Sequence, residues 1–296
     1  MQGILVINKE RGFTSFDVVA KLRGILKTKK IGHTGTLDPE AEGVLVCCIG
    51  KATKLVDTFI NHEKSYQAKL LLGKNTDTYD IWGEILEERP VSVSEDEIRD
   101  VISSFIGRQN QIPPMYSAKK VNGKKLYELA RAGETVEREA VPIEIYDIKI
   151  TDISIPEVSF TVDCSKGTYI RSLCHDIGEK LGCGGCMSGL KRIRTGDFTI
   201  EQAYMLFEVE DAFAAGRIED IMLGIDEVLG YKKAFVTEGG KKLLMNGNRL
   251  PAELVKVNEE PAVGEYVCMY HPDGRFAATY IYDGSLFLLD KIFLEQ

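Results

Sequence analysis

Apolar and polar positions alternate or cycle along this chain in a way that predicts a mixture of strands and helices. "GILVINK" near the start alternates weakly and reads as a short strand. "TSFDVVAKLRGILK" has Phe16, Val19, Leu22 and Ile25 or Leu26 at helical spacing, and Thr14 with Asp17 forms a capping box at its start. "GVLVCCIG" reads as a buried strand. "SYQAKLLLG" places Tyr66, Ala68, Leu70 and Leu72 on one strand face. "SVSEDEIRDVISSFIG" predicts a second capped helix, with Ser94 and Glu97 as the box and Ile98, Val101, Ile102, Phe105 and Ile106 as its apolar stripe. "VSFTVDCSKG" gives a strand with Phe160, Val162 and Cys164 on one side. "TYIRSLCHDIGEKLG" then gives a helix facing inward through Ile170, Leu173, Ile177 and Leu181.

Strands and helices follow one another without a regular βαβ rhythm, so the expected class is α+β. Residues 107–139 differ from the rest: a Pro-Pro turn, a basic loop and a short polar helix suit a protruding arm. Beyond an acidic helical stretch the chain becomes short-stranded and turn-punctuated. This places a boundary near residue 230, giving units 1–229 and 230–296.

Charge changes the picture locally more than globally. The 296 residues carry a formal net charge of −8, which argues against a uniformly nucleic-acid-coating protein. Yet "KLRGILKTKK" holds five basic residues and no acid, "KKVNGKK" four basic residues and "KRIR" three. Each lies beside glycine-, aromatic- or hydroxyl-rich sequence, which suits a groove for a polyanion. No apolar run approaches the roughly 20 residues of a membrane span, and the N-terminus lacks the pattern of a secretory signal. Seven scattered cysteines form no disulfide framework, and a reducing cytoplasm is expected. The single C-x-x-C, "CGGC" at 183–186, has no second pair or local histidine, so a buried structural role is expected rather than zinc.

Four stretches offer chemistry. "KIGHTGTLDPEAEGVL" sets Asp38 before a proline that biases it toward an extended backbone, among glycines that permit close approach. A lone carboxylate is a nucleophile or base, and works only if ionised. "KSYQAKL" offers Tyr66, a flat ring with a hydroxyl. "GTYIRSL" offers Tyr169 and Arg171, and an arginine beside an aspartate would favour its ionised form. Arg171 could equally pair with a local acid such as Asp176. "LKRIRTGDF" brings Leu190, Lys191, Arg192 and Arg194, where basic residues suit phosphates. Phosphate-loop, serine-elbow and zinc-helix signatures do not occur in the sequence.

Together these stretches closely resemble the TruB family of tRNA pseudouridine synthases. "GHTGTLDPEAEGVLVCCIGKATKL" is similar to the family's catalytic motif. "SYQAKLLLGKNTDTYDIWGE", "QIPPMYSAKKVNGKKLYELARAGETVERE", "GTYIRSLCHDIGEKLG" and "LKRIRTGDF" follow in the family's order. "NKERG" departs where the family more often has Lys-Pro, and Cys186 stands where a histidine or aromatic is common. The resemblance implies a pseudouridine synthase catalytic domain followed by a small PUA-like β domain. It implies isomerisation of uridine 55 in the tRNA T loop, by a monomer without cofactor or metal and without membrane association. Asp38 would be the nucleophile or base, acting at C1′, at C6 or through a glycal. Tyr66 would stack on the base, Arg171 would pair with Asp38, and His33 would occupy the space left by the flipped base. Tyr169 and Leu190 would line the pocket, and Lys119, Lys120, Lys124 and Lys125 of the arm would meet phosphates. A catalytically silent RNA chaperone and a small-nucleoside hydrolase are the two readings from other classes. The intact Asp38, Tyr66 and Arg171 set disfavours the first, and the long basic arm and tail disfavour the second.

Overall fold

The computed structural model describes residues 1–294 apart from Asn122 and Thr135, and for Lys120 the backbone alone. In chain order the first strands are β1 (Gly3–Lys9), β2 (Ile31–His33), β3 (Glu42–Ile49), β4 (Lys64–Leu72), β5 (Lys74–Thr76), β6 (Ile85–Glu88), β7 (Gly107–Gln111), β8 (Lys120–Val121) and β9 (Lys124–Lys125). Strands β10 (Val141–Ser154), β11 (Glu157–Cys164), β12 (Gly185–Thr195) and β13 (Phe198–Thr199) follow. The last six are β14 (Lys232–Val236), β15 (Leu250–Pro251), β16 (Val255–Val257), β17 (Tyr266–Tyr270), β18 (Phe276–Tyr282) and β19 (Leu286–Ile292). The helices are α1 (Ser15–Leu26), α2 (Val56–Ile60), α3 (Glu95–Ser103), α4 (Leu126–Arg131), α5 (Ile170–Lys180), α6 (Leu206–Ala214), α7 (Ile225–Leu229) and α8 (Lys241–Met245). This is an α+β protein.

A nine-stranded sheet runs β1-β3-β12-β4-β11-β10-β7, with β2 on β3 and β13 on β12. Strand β1 lies along the whole of one edge of β3. The other edge of β3 is shared. At Glu42 and Gly43 it pairs in parallel with Lys191 and Arg192 of β12, whereas at Cys47–Ile49 it pairs with β2. The sheet therefore splits in its middle, and residues 34–41, leading from β2 into β3, sit at the fork. Strand β3 comes close to β12 only because residue 43 is glycine. Its φ is +100°, and a Cβ there would fall 2.1 Å from the Arg192 carbonyl oxygen.

One sheet face packs α3 and α5 over Tyr66, Ala68, Leu70, Phe160 and Val162. Toward the β1 end, α1 and α6 cover Leu5, Ile7, Leu45 and Cys47. Both expected capping boxes are present, at Thr14–Asp17 and Ser94–Glu97, each supporting its helix by about 1 kcal/mol. Two side chains of the expected apolar stripes face out: Phe16 is 64% exposed and Ile106 45%. On α1 the stripe runs through Val18, Val19, Leu22 and Leu26 instead. Strand β1 is buried on both faces: helices cover one, and Ile4 and Val6 join a core cluster on the other.

The arm begins later than expected. Residues 107–111 form the edge strand β7, antiparallel to β10 from Val141↔Gln111 to Ile145↔Gly107. The sequence "GRQNQ" has no apolar face of its own, and backbone pairing with β10 supplies what the side chains do not. The rest of the segment closes over a small core of Met115, Leu126 and Leu129, flanked by Tyr116, Val121, Ala130 and Val136.

The six C-terminal strands form a second sheet, β15-β19-β18-β17-β14-β16, with its own core around Leu244, Val267, Met269, Tyr280 and Phe287. Phe293 leaves this sheet and packs, fully buried, in one cluster with Val44 and Val46 of the first sheet and Phe59 of α2. The Tyr270 hydroxyl donates to Asp226 Oδ2 at 2.6 Å, and Lys54 Nζ donates to the Ile292 carbonyl at 2.6 Å. All seven cysteines are buried and free, including Cys183 and Cys186.

Candidate active site

The fork in the sheet brings Asp38 to the first turn of α5. Arg171 Nε lies 2.9 Å from Asp38 Oδ2, and Arg171 Nη2 donates to Asp38 Oδ1 at 3.1 Å, a bidentate pair. Its two members differ in exposure: the Arg171 side chain is 5% exposed and that of Asp38 38%. The guanidinium is thus enclosed, and the carboxylate is open to solvent. Two further contacts fix the fork of the arginine, from Nη1 to the Thr78 carbonyl at 3.1 Å and from Nη2 to the Tyr116 carbonyl at 2.8 Å. Asp80 Oδ2 stands 3.8 Å from Nη1. Burial, the largest influence on Asp80, raises its pKa, while the Thr78 hydroxyl and Arg171 act the other way. Arg171 thus pairs across the sheet rather than with Asp176 on its own helix. Helix α5 is held close to β12 by Gly178, where a Cβ would fall 2.2 Å from the Gly185 nitrogen.

The Asp38 turn is anchored from beneath. The Ser15 hydroxyl accepts from the Leu37 N–H at 2.8 Å and donates to the Leu37 carbonyl at 3.2 Å. Lys9, fully buried, donates Nζ to the carbonyls of Glu10 at 3.0 Å, Phe13 at 2.5 Å and Pro39 at 3.0 Å. Burial pushes the Lys9 pKa down to about 8, against the carboxylates of Asp38, Glu40 and Glu42. The sequence marks neither residue as part of the site. Lys9 follows Asn8 at the polar end of an apolar run, which by itself does not place it in the site.

Tyr66 on β4 is 8% exposed and stands directly across from Arg192 of β12. Burial raises its hydroxyl pKa, and Arg192 opposes that rise. Arg192 was expected among phosphate-binding residues. Instead it is 2% exposed and bound to the sheet, Nε to the Val44 carbonyl at 2.7 Å and Nη2 to the Gly35 carbonyl at 3.0 Å. It thus braces the fork at Gly35, three residues before Asp38. Arg194 is likewise engaged, by Asp163 at 3.1 Å and the Ser65 hydroxyl at 2.9 Å.

Tyr169 caps α5 and is held by Gln111, which accepts from its N–H at 2.8 Å and donates to its carbonyl at 3.0 Å. Burial raises the pKa of its hydroxyl. Leu190, partly buried, stands opposite Ala68 and packs on the core beside Tyr66. His33 ends β2; burial, and then Arg192, lowers its pKa, and its Nδ1 accepts from the Gly35 N–H at 3.4 Å. The arm lysines lie apart. Lys119 Nζ donates to the Glu139 carbonyl at 3.0 Å, Lys125 Nζ to the Tyr127 hydroxyl at 3.2 Å, and Lys124 is exposed. The expected Lys120 contact lies outside the described side chains. Among the described residues no cluster of histidine, cysteine or carboxylate side chains could hold a metal ion.

A carboxylate held in place by a buried guanidinium at a fork in a mixed sheet, with a buried tyrosine near enough to feel its charge, is a site for covalent or acid–base work. The chain belongs to the TruB family of pseudouridylate synthases. Residues 23–170 match the family's N-terminal domain and residues 171–229 the tRNA pseudouridylate synthase B C-terminal domain. It is 48% identical to the tRNA pseudouridine synthase B of Clostridium novyi (strain NT), over 99% of this chain and 100% of the relative. It is 50% identical to that of Alkaliphilus oremlandii (strain OhILAs), over 91% and 90% of the two chains. Among solved structures, a chain of a Cbf5-Nop10-Gar1 complex superposes with a TM-score of 0.72 at 26% identity, covering 99% of this chain and 85% of that one.

Proposed function

We propose that this protein converts uridine 55 in the T loop of tRNA to pseudouridine, with Asp38 as the reacting carboxylate. The bidentate Arg171–Asp38 pair at the open end of the fork carries the reading. The N1–C1′ bond of the uridine breaks, the uracil turns, and a C5–C1′ bond forms. N1 gains a proton and the C5 proton is released, so the reaction is an isomerisation in which no electrons are gained or lost. Asp38 acts as nucleophile or base, and Arg171 holds and aims its carboxylate. Tyr66 offers its ring to the flipped base, and burial keeps its hydroxyl protonated until a neighbour accepts the proton.

A base within a folded loop must be extruded at a cost of a few kcal/mol. His33, kept neutral by burial, fills the vacated space without drawing in phosphate charge. Tyr169 and Leu190 close the sides of the pocket. The arm, which already touches Arg171 through the Tyr116 carbonyl, settles on the RNA and brings Lys119, Lys120, Lys124 and Lys125 to its phosphates. Residues 1–229 act as the catalytic unit. Residues 230–296 act as a PUA-like unit toward the acceptor end, and the protein works as a monomer in the cytoplasm. No described helix is long and apolar enough to cross a membrane.

The test is tritium release from unmodified tRNA labelled at uridine C5, with the product mapped along the chain. One tritium per tRNA, pseudouridine at position 55 and no release from free uridine are expected. Release from free uridine, or binding without release, would favour a nucleoside enzyme or a chaperone instead.

A further inference from the structure

The catalytic pair has an outer counterpart. Asp38 and Asp80 face one buried arginine, Arg171. Two residues further along each segment stand Glu40 and Trp82, and these two face a second arginine, Arg11. Its Nε lies 2.7 Å from Glu40 Oε2, and its guanidinium carbon sits 5.0 Å from the centre of the Trp82 ring. The inner arginine is buried and the outer one open: the Arg171 side chain is 5% exposed, that of Arg11 55% and Trp82 39%. Both steps are tight turns: the Ala41 N–H donates to the Asp38 carbonyl at 3.1 Å, and the Gly83 N–H donates to the Asp80 carbonyl at 3.2 Å. The turns set the outer pair beside the inner one, as a rim next to where a base held at Asp38 would lie.

An exposed tryptophan beside charged groups is an unusual surface choice, and this is the only tryptophan in the chain. One ring face is taken by Arg11. Among the described residues only Nε of Arg11 is engaged by a partner, which leaves its terminal N–H groups open. A stacking face beside a cation with free donors suits one nucleotide: base on the ring, phosphate on the guanidinium. Extruding one base from a loop strips its neighbour of a stacking partner, and an aromatic ring at the rim replaces it.

We infer that Trp82 and Arg11 form a binding site for the unpaired nucleotide next to the target uridine, with Trp82 stacking on its base and Arg11 holding its phosphate. The inference rests on the RNA substrate proposed above, but its test reads binding and needs no turnover. The full-length protein is titrated with an unmodified T-arm stem-loop RNA while the emission of its single tryptophan is followed. Saturating RNA should change that emission strongly. Trp82→Ala should bind roughly tenfold more weakly, the scale of one base–aromatic stack, and Trp82→Phe should recover most of the loss. With RNAs made abasic on the 5′ or 3′ side of the target, wild type should lose the same factor on one side, and Trp82→Ala should lose nothing more there. Unchanged emission at saturation would overturn the site. So would a Trp82→Ala loss that is equal for intact and both abasic RNAs, because the residue would then only brace Arg11 and Glu40. A protein that binds with the expected emission change yet makes no pseudouridine would refute the proposed reaction and leave the rim site standing.

Discussion

Charged side chains removed from water survive where each donor or acceptor finds a partner. Arg171, Arg192 and Lys9 meet that condition through backbone carbonyls and Asp38, and all three brace the same fork. Among the described residues Asp176 has no such partner. It sits half-buried on α5, three residues before Glu179 on the same helix flank. Burial first, and Glu179 second, raise its pKa from the ordinary carboxylate value to about 6. The folded protein therefore holds a proton there between about pH 4 and 6 that the unfolded chain releases. Its contribution to stability is present in acid and is lost as the pH rises through about 6. At pH 7 the charge carries an unrelieved burial cost. Asp176→Asn should stabilise the protein at pH 7 by at most about 3 kcal/mol, with the gain fading below about pH 4, as read by urea unfolding at both values. A gain equal at the two pH values would contradict the burial of that charge.

Elements were legible in the sequence where local chemistry decides them. The capping boxes of α1 and α3 and the alternation of β4 and β11 fixed their placement, because each is a short-range pattern. Strand β7 was not legible, since "GRQNQ" is a strand only by pairing with β10. Nor were Lys9 and Arg192, whose burial comes from residues 30 and about 150 positions away. By contrast, the meeting of Asp38 and Arg171, 133 residues apart, came from the family resemblance and not from any periodicity. The arm between β7 and β10 has a small core, so the hold on RNA proposed for it rests on charge as much as on shape. Replacing Lys119, Lys120, Lys124 and Lys125 with alanine should weaken tRNA binding. It should also lower the slope of log affinity against log salt by about 2 to 4, because each phosphate contact releases close to one counterion. Turnover on saturating tRNA should change less. Identical slopes for parent and variant would show that these lysines only face solvent.

At the scale of the whole molecule, two sheets share one seam, and the fork that holds Asp38 lies in the first. Phe293 crosses that seam into the core beneath β3, the strand that the Asp38 turn enters. Phe293→Ala should cost about 3–5 kcal/mol in urea unfolding. A loss below about 1 kcal/mol would mean that the seam packs loosely and that the C-terminal sheet adds little to the fold of the first. The net charge of −8 disfavours coating of RNA by the whole surface, which is why the proposed recognition is placed on the arm, the rim and the fork together. What those parts converge on is one carboxylate. The most direct measurement compares tritium release from uridine-C5-labelled, unmodified tRNA by the parent and by Asp38→Asn, at RNA concentrations where both are shown to be bound. The substitution keeps size and removes charge. Release should fall to background while tRNA affinity stays within a few-fold of the parent. Near-normal release by Asp38→Asn would contradict the assignment of the reacting group and, with it, the role given to Arg171.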